Sequence, residues 1–220
     1  LKAINPYPSI VVLHTHSNDE HQDKYLNPML DFKNLDGPSM QIGEPKKVHE
    51  RIKKWVIESE KSGKRWLVNL DEIGPAWKGA MPDAFDAKHD TIRNQCLWGT
   101  LLAGGTGVEW YFGYRYPHND LELEDFRSRE IWWKQSKIAT QFVQQFPLEE
   151  MKSADELIDQ KDAYCLAKEG ELYLVYLPAG PKNAALKLDA ISYSVKWFNP
   201  RNGGDINNGS VTEIPGNGFV

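Results

Sequence analysis

The chain has 220 residues, with 26 Lys and Arg against 31 Asp and Glu, a formal net charge of −5, and a 40% hydrophobic share that includes eight Trp. That much apolar and aromatic material can bury a sizeable core, which excludes a disordered chain, a collagen-like repeat and a coiled-coil rod. No run approaches the roughly 18 apolar residues of a membrane span, and an acidic chain lacks the basic face of a nucleic-acid binder, so neither membrane nor nucleic acid is an expected partner.

In chain order, Ser9-Ile10-Val11-Val12-Leu13-His14-Thr15-His16 is a β-branched run ending in polar residues, the pattern of a strand buried in a parallel sheet. A shorter run over residues 39–43 precedes a segment, 48–57, in which Val48, Ile52, Trp55 and Val56 recur at helical spacing, with Gly63 as the stop. Residues 65–72 form the next expected strand, which closes on Asp71, Glu72 and the Gly74-Pro75 breaker. A helix is expected over 90–103 with Ile92, Cys96, Leu97 and Leu101 on one face. The aromatic run 106–114 reads as a fourth strand, and 125–142 as a helix packing through Phe126, Ile131, Trp132, Ile138 and Phe142. Alternating β-α units of this length imply parallel strands joined by right-handed crossovers.

Beyond Pro147 the runs shorten. Residues 164–167, 171–177, 185–188 and 192–198 are separated by Gly, Pro and Asn with no helix between them, which predicts a small antiparallel β-sandwich. The expected division is 1–151 for the α/β part and 152–220 for the all-β part. Cys96 and Cys165 are too few for a disulfide scaffold, and no Cys/His cluster suggests zinc. The chain begins at Leu1 with no basic or apolar leader, so a targeting segment is expected to be cleaved or to lie outside this sequence.

Ligands bind at the carboxyl ends of parallel strands, where loops converge on one rim. That rule selects His14 and His16, Gln41, Asp71 and Glu72, then Trp110, Tyr111, Tyr114 and the following His118-Asn119-Asp120. Carboxylates beside aromatic rings suit a carbohydrate, because sugar C–H faces stack on rings while carboxyl groups attack or protonate. No metal ligand set stands out and no cofactor is expected. Strand parity leaves the carboxylates open: Trp66, Val68 and Leu70 share a face with Glu72, and Leu67 and Asn69 share the other with Asp71. A regular strand with its apolar face on the helices would aim Asp71 inward, whereas a bulge at Asp71 would reverse the choice.

The run Asn69-Leu70-Asp71-Glu72-Ile73-Gly74-Pro75-Ala76, then His89-Asp90 with Arg93, Leu97-Trp98-Gly99, the segment Gly104-Gly105-Thr106-Gly107-Val108-Glu109-Trp110-Tyr111-Phe112-Gly113-Tyr114, and Asn119-Asp120-Leu121 resemble the second half of a bacterial glycoside-hydrolase-like (β/α)8 (TIM) barrel. Tyr164-Cys165-Leu166-Ala167, residues 171–178 and Trp197-Phe198-Asn199-Pro200-Arg201-Asn202-Gly203-Gly204 are similar to its usual partner, a small β-domain catalogued as a collagen-binding domain of a collagenase. The resemblance implies a retaining glycosidase, with the strands above as barrel strands five to eight. Glu72 then stands at the nucleophile position, with Asp71 in reserve and Ile73 in place of the usual aromatic. It also implies a secreted or periplasmic bacterial protein acting on a polysaccharide or oligosaccharide, with His14, His16, Gln41, Trp110, Tyr114 and Asp120 as the sugar-binding shell.

A full barrel needs about 250 residues, and only about 150 here are barrel-like. Strands one to four and the acid/base carboxylate are therefore expected before Leu1, so that the fragment alone would be inactive. An open edge and apolar flank at Ile10 to Leu13 would require the missing N-terminal half-barrel or a second copy as partner. The alternative is a non-catalytic carbohydrate- or matrix-binding protein with a degenerate barrel; a third possibility gives the β-domain a purely structural role beside the barrel.

Overall fold

The computed structural model describes residues 7, 9–122, 125–178, 180, 184–189 and 191–220. The chain is mixed α/β and divides into two compact units, 1–101 with 105–130, and 102–104 with 131–220.

The first unit is built on a parallel sheet of four strands, β1 (Val12–His14), β2 (Gly37–Ile42), β3 (Asn69–Ile73) and β4 (Gly107–Val108), in the order β1-β2-β3-β4. Between β1 and β2 runs helix α1 (Asp19–Leu26), capped by the Asn18 side chain, which accepts from the His21 amide at 3.1 Å. Between β2 and β3 runs α2 (Val48–Lys61), and the expected spacing holds: Val48, Ile52 and Trp55 are fully buried and Val56 nearly so. Trp55 stacks on Trp66 with ring centroids 6.2 Å apart, so α2 covers the face of the third strand segment that carries Trp66, Val68 and Leu70. Gly63, at φ +96°, a backbone conformation that favours glycine, ends α2.

Between β3 and β4 the helical segment expected over 90–103 is present but opens into π turns over Ile92–Trp98 before closing as α3 (Gly99–Leu102). Ile92, Cys96 and Leu97 are buried as expected, and Arg93 is buried beside them, paired with Asp90 at 2.7 Å one turn back. Three sequence expectations require correction in this unit. The run 9–16, expected as a buried strand, is strand only over Val12–His14, and all three residues are exposed because β1 is the outer strand of the sheet among the described residues. The fourth strand stops at Val108 instead of continuing to Tyr114, because the backbone from Tyr111 onward bonds to the loop after β3 instead of to β3 itself. Phe126 is not a packing residue: it opens a 3-10 turn, Phe126–Arg129, and is 64% exposed.

The second unit begins with α4 (Glu130–Val143) past its first residue. The helix goes with this unit because Phe142 stacks on Phe198 at 4.3 Å and Ile138 lies under Gly203. The division thus falls at 130/131, before the expected 151/152. An antiparallel sheet follows in the order β5 (Lys152–Ser153), β6 (Tyr164–Lys168), β7 (Leu172–Tyr176). The β6–β7 hairpin turns at Gly170, whose φ of +80° suits glycine. β8 (Lys187–Leu188) pairs with β11 (Gly218–Phe219), and β9 (Ser192–Ser194) with β10 (Glu213–Pro215), each antiparallel. Ala154, Ile158, Ala163, Cys165 and Ala167 form the buried cluster, with Tyr173, Leu177 and Leu186 against it. Cys96 and Cys165 are both free and buried.

Candidate functional site

Everything that converges at the carboxyl ends of the parallel strands lies in the first unit. The pairing of β2 with β3 runs Ser39 to Asn69 and Met40 to Leu70, then jumps so that Gln41 faces Glu72 and Ile42 faces Ile73. Asp71 is the extra residue of a β-bulge. Burial along the strand shows the consequence: Trp66, Val68 and Leu70 are inside, and after the bulge the inward position passes to Ile73. Asp71 and Glu72 are thereby both freed from the helix-covered face, and both reach one imidazole. His14 Nδ1 lies 2.6 Å from Asp71 Oδ2, and His14 Nε2 lies 3.8 Å from Glu72 Oε2.

The two carboxylates have different surroundings. Asp71 is bonded by His14, by the Ser39 hydroxyl and by the side chain of Glu109. Partial burial pushes its pKa upward, but those three hydrogen bonds together with the His14 charge outweigh burial and hold the carboxyl below its ordinary range. An ionised Asp71 makes His14 Nδ1 the donor. Among the described residues Glu72 accepts a single side-chain hydrogen bond, from Gln41 Nε2 to Oε1 at 2.7 Å, which leaves Oε2 facing the half-exposed imidazole.

Glu109 is the functional candidate that sequence reasoning passed over. The β3–β4 register pairs Leu70 with Val108, and the Glu109 amide donates to Leu70 O at 2.7 Å, which sets Glu109 beside Asp71. Its hydrogen bond to Asp71, then burial and the Asp71 charge, raise its pKa against a smaller opposing effect of His14. One carboxyl of the pair is held ionised and the other tends to keep its proton. The sequence hides it, because a strand expected to run to Tyr114 puts Glu109 in its middle, whereas β4 ends at Val108 and leaves Glu109 just past a strand end.

Gln22 in α1, almost wholly buried, fixes the neighbouring strand ends. Its Nε2 donates to His16 O at 3.0 Å and to Gln41 O at 2.7 Å, while its Oε1 accepts from Arg51 Nε at 2.9 Å. The Gln41 amide donates to Thr15 Oγ1 at 3.0 Å, so the Gln41 side chain is aimed by a braced backbone. His16 turns toward α1: its Nδ1 accepts from the Asn18 amide at 3.1 Å, and its ring meets His21 edge-on.

Across the loop after β4, Tyr111 is raised by partial burial and by the charges of Glu72 and Asp120, with a smaller contribution from Tyr114, which brings all four into one electrostatic neighbourhood. Asp120 Oδ2 accepts from the Phe112 amide at 2.7 Å and shapes that loop. Tyr114 is 53% exposed and Trp110 half-buried. His14, Gln41, Asp71 and Glu72 thus form one bonded cluster, Tyr114 and Asp120 lie near it through Tyr111, and His16 stands in a separate network. Among the described residues no group of three or more His, Cys, Asp or Glu could hold a metal ion, and no helix is long and apolar enough to cross a membrane. No protein-family model matches the chain, and no curated protein matches it at a significant level.

Proposed function

We propose that the first unit is the C-terminal half of a (β/α)8 barrel and that the parent protein is a retaining glycoside hydrolase, secreted or periplasmic, acting on a polysaccharide or oligosaccharide. The second unit is then a small β-sandwich of the collagen-binding-like type. The observation that carries the reading is the bulged Asp71-Glu72 pair at the carboxyl end of β3, one carboxylate committed to three donors and the other with an oxygen uncommitted.

In this reading Glu72 attacks the anomeric carbon. Gln41 orients it, and Asp71 holds His14 so that its Nε2 faces the attacking oxygen. Attack breaks the glycosidic bond, forms a glycosyl ester on Glu72 and requires a proton for the departing oxygen. That proton comes from a carboxyl about 5–5.5 Å away, on the strands that would close the barrel. Among the described residues both β1 and β4 pair on one side only, and Ile10, Val12 and Leu13 at the β1 edge are 67%, 45% and 36% exposed. A preceding half-barrel or a second copy would cover that edge.

The test is Glu72→Gln in a parent that carries the completing strands, assayed on a panel of glycans. Turnover should vanish while circular dichroism stays unchanged. Wild-type turnover by the variant would refute the assignment.

A further inference from the structure

The loops that follow β3 and β4 are locked together by backbone. The Ala80 amide donates to Tyr111 O at 2.8 Å, and the Tyr114 and Arg115 amides both donate to Trp77 O, at 3.3 and 3.1 Å. Gly79 and Gly113 lie so close that a Cβ on Gly79 would sit 2.5 Å from the Gly113 nitrogen. Two fully buried side chains brace the pair from beneath. His89 Nε2 meets Asp83 Oδ1 at 2.7 Å, and Arg129 donates to Ala80 O at 2.6 Å and to His118 O at 2.7 Å with its guanidinium 4.1 Å over the Phe112 ring.

On this rigid base sits a cluster in which Arg115 and Phe85 are exposed and Trp77 and Tyr116 half-buried. The Arg115 guanidinium lies 4.8 Å over the Trp77 ring and 5.9 Å from the Tyr116 ring, and Tyr116 packs against Phe85 at 4.8 Å. Phe85 is 55% exposed. Among the described residues Arg115 makes no ion pair. Stacking occupies the flat face of a guanidinium and leaves its N–H edge free, already oriented for a two-pronged bond to a planar carboxylate. Rings held on a rigid rim offer a stacking surface at little cost in side-chain entropy.

We propose that Trp77, Phe85, Arg115 and Tyr116 form a subsite for an acidic sugar ring, a uronate, belonging to the same glycan that the carboxylate cluster takes. The rings stack on the sugar face and Arg115 binds its carboxylate. The proposal rests on the glycosidase reading for the identity of the ligand; Trp77 O accepts from the Tyr114 amide, which sets the subsite beside the loop after β4.

The test is calorimetric titration of the full chain with tetragalacturonate and with the neutral maltotetraose. The acidic probe should bind more tightly. Arg115→Gln should weaken it about 10- to 100-fold, the usual worth of a charge-assisted hydrogen bond, and erase the preference. Arg115→Lys, which keeps the charge without the fork, should fall between, and Phe85→Ala should weaken whatever binding either probe shows. Amide NMR spectra verify that each variant is folded. Equal affinity for the two probes, no binding of either, or an Arg115→Gln variant that binds like wild type would overturn the proposal. Selective binding of tetragalacturonate, combined with a parent that cleaves no glycan, would sink the glycosidase reading and leave the subsite standing. Hydrolysis of neutral glycans that is indifferent to Arg115 would do the reverse.

Discussion

Replacing Gly79 by Ala tests the lock between the two rim loops, with Gly63→Ala as its control. Gly79 has φ +53°, inside the small left-handed region that an L residue can enter, whereas Gly63 at φ +96° lies outside it. Backbone preference alone therefore makes Gly63→Ala the more costly change. Neighbouring atoms rank them the other way: nothing lies within 4 Å of a Cβ on Gly63, but a Cβ on Gly79 would stand 2.5 Å from the Gly113 nitrogen and the Tyr111 oxygen. Those are backbone atoms, so the loops must part and release the Ala80 to Tyr111 hydrogen bond. A left-handed alanine costs about 1–2 kcal/mol and the lost bond about 1, which gives about 2–3 kcal/mol at Gly79. Hydrogen exchange reads this locally. The amides of Ala80, Tyr114 and Arg115 should exchange about 30- to 150-fold faster in Gly79→Ala and at the wild-type rate in Gly63→Ala. Equal exchange in the two variants would refute the lock.

The remaining predictions concern titration and reactivity. Glu109 is raised from its ordinary 4.5, so the folded state binds more protons than the unfolded one as pH climbs from 4.5 toward the raised folded value, and stability falls across that window. Asp71 is lowered from 3.8, so its contribution is full above 3.8 and is lost as pH falls below it. Glu109→Gln retains a donor for Asp71 but cannot titrate; urea midpoints measured against pH should therefore flatten above 4.5 and keep the acid-side loss, and a profile identical to wild type would remove the shared proton. Burial drives the Cys96 thiol far above its ordinary range, so it should resist a disulfide reagent until denaturant is added. Rapid native labelling would mean that the π-turn segment opens.

Much of the first unit was legible because its signals are repetitive. The i, i+4, i+7, i+8 spacing of Val48, Ile52, Trp55 and Val56 needs only one face to be counted, and burial follows it, whereas the run at 9–16, read as a buried strand, forms a strand only over Val12–His14, exposed at the sheet's edge. The failures lie where an alternative partner decides. Aromatic residues at 110–114 have strand propensity, yet the carbonyl of Tyr111 is taken by Ala80 and the amide of Tyr114 by Trp77, both on a loop whose approach depends on two glycines far apart in sequence. Similarly, α4 carries an apolar face that fits either unit. Phe198 stacking on Phe142 and Gly203 lying against Ile138 assign it to the second, and those contacts span residues no local pattern connects.

The site was legible as a position and illegible as an arrangement. Strand-end polarity selected His14, Gln41, Asp71 and Glu72, which do meet, but parity allowed only one of the two carboxylates to leave the helix-covered face. A period of two is a property of an unbroken ladder. One extra residue at Asp71 changes the phase, so Leu70 and Ile73 are both buried and the two acidic residues between them are both released. Once both are released, adjacent carboxylates would repel each other unless each is neutralised separately. The neighbouring strands do this with different groups: Ser39, His14 and Glu109 around Asp71, and Gln41 on Glu72. The bulge therefore accounts for two observations at once, the presence of a third carboxyl group beside Asp71 and the single hydrogen bond on Glu72. An enzyme that needs one fixed anion to orient an imidazole and one free anion to react would require that division of partners.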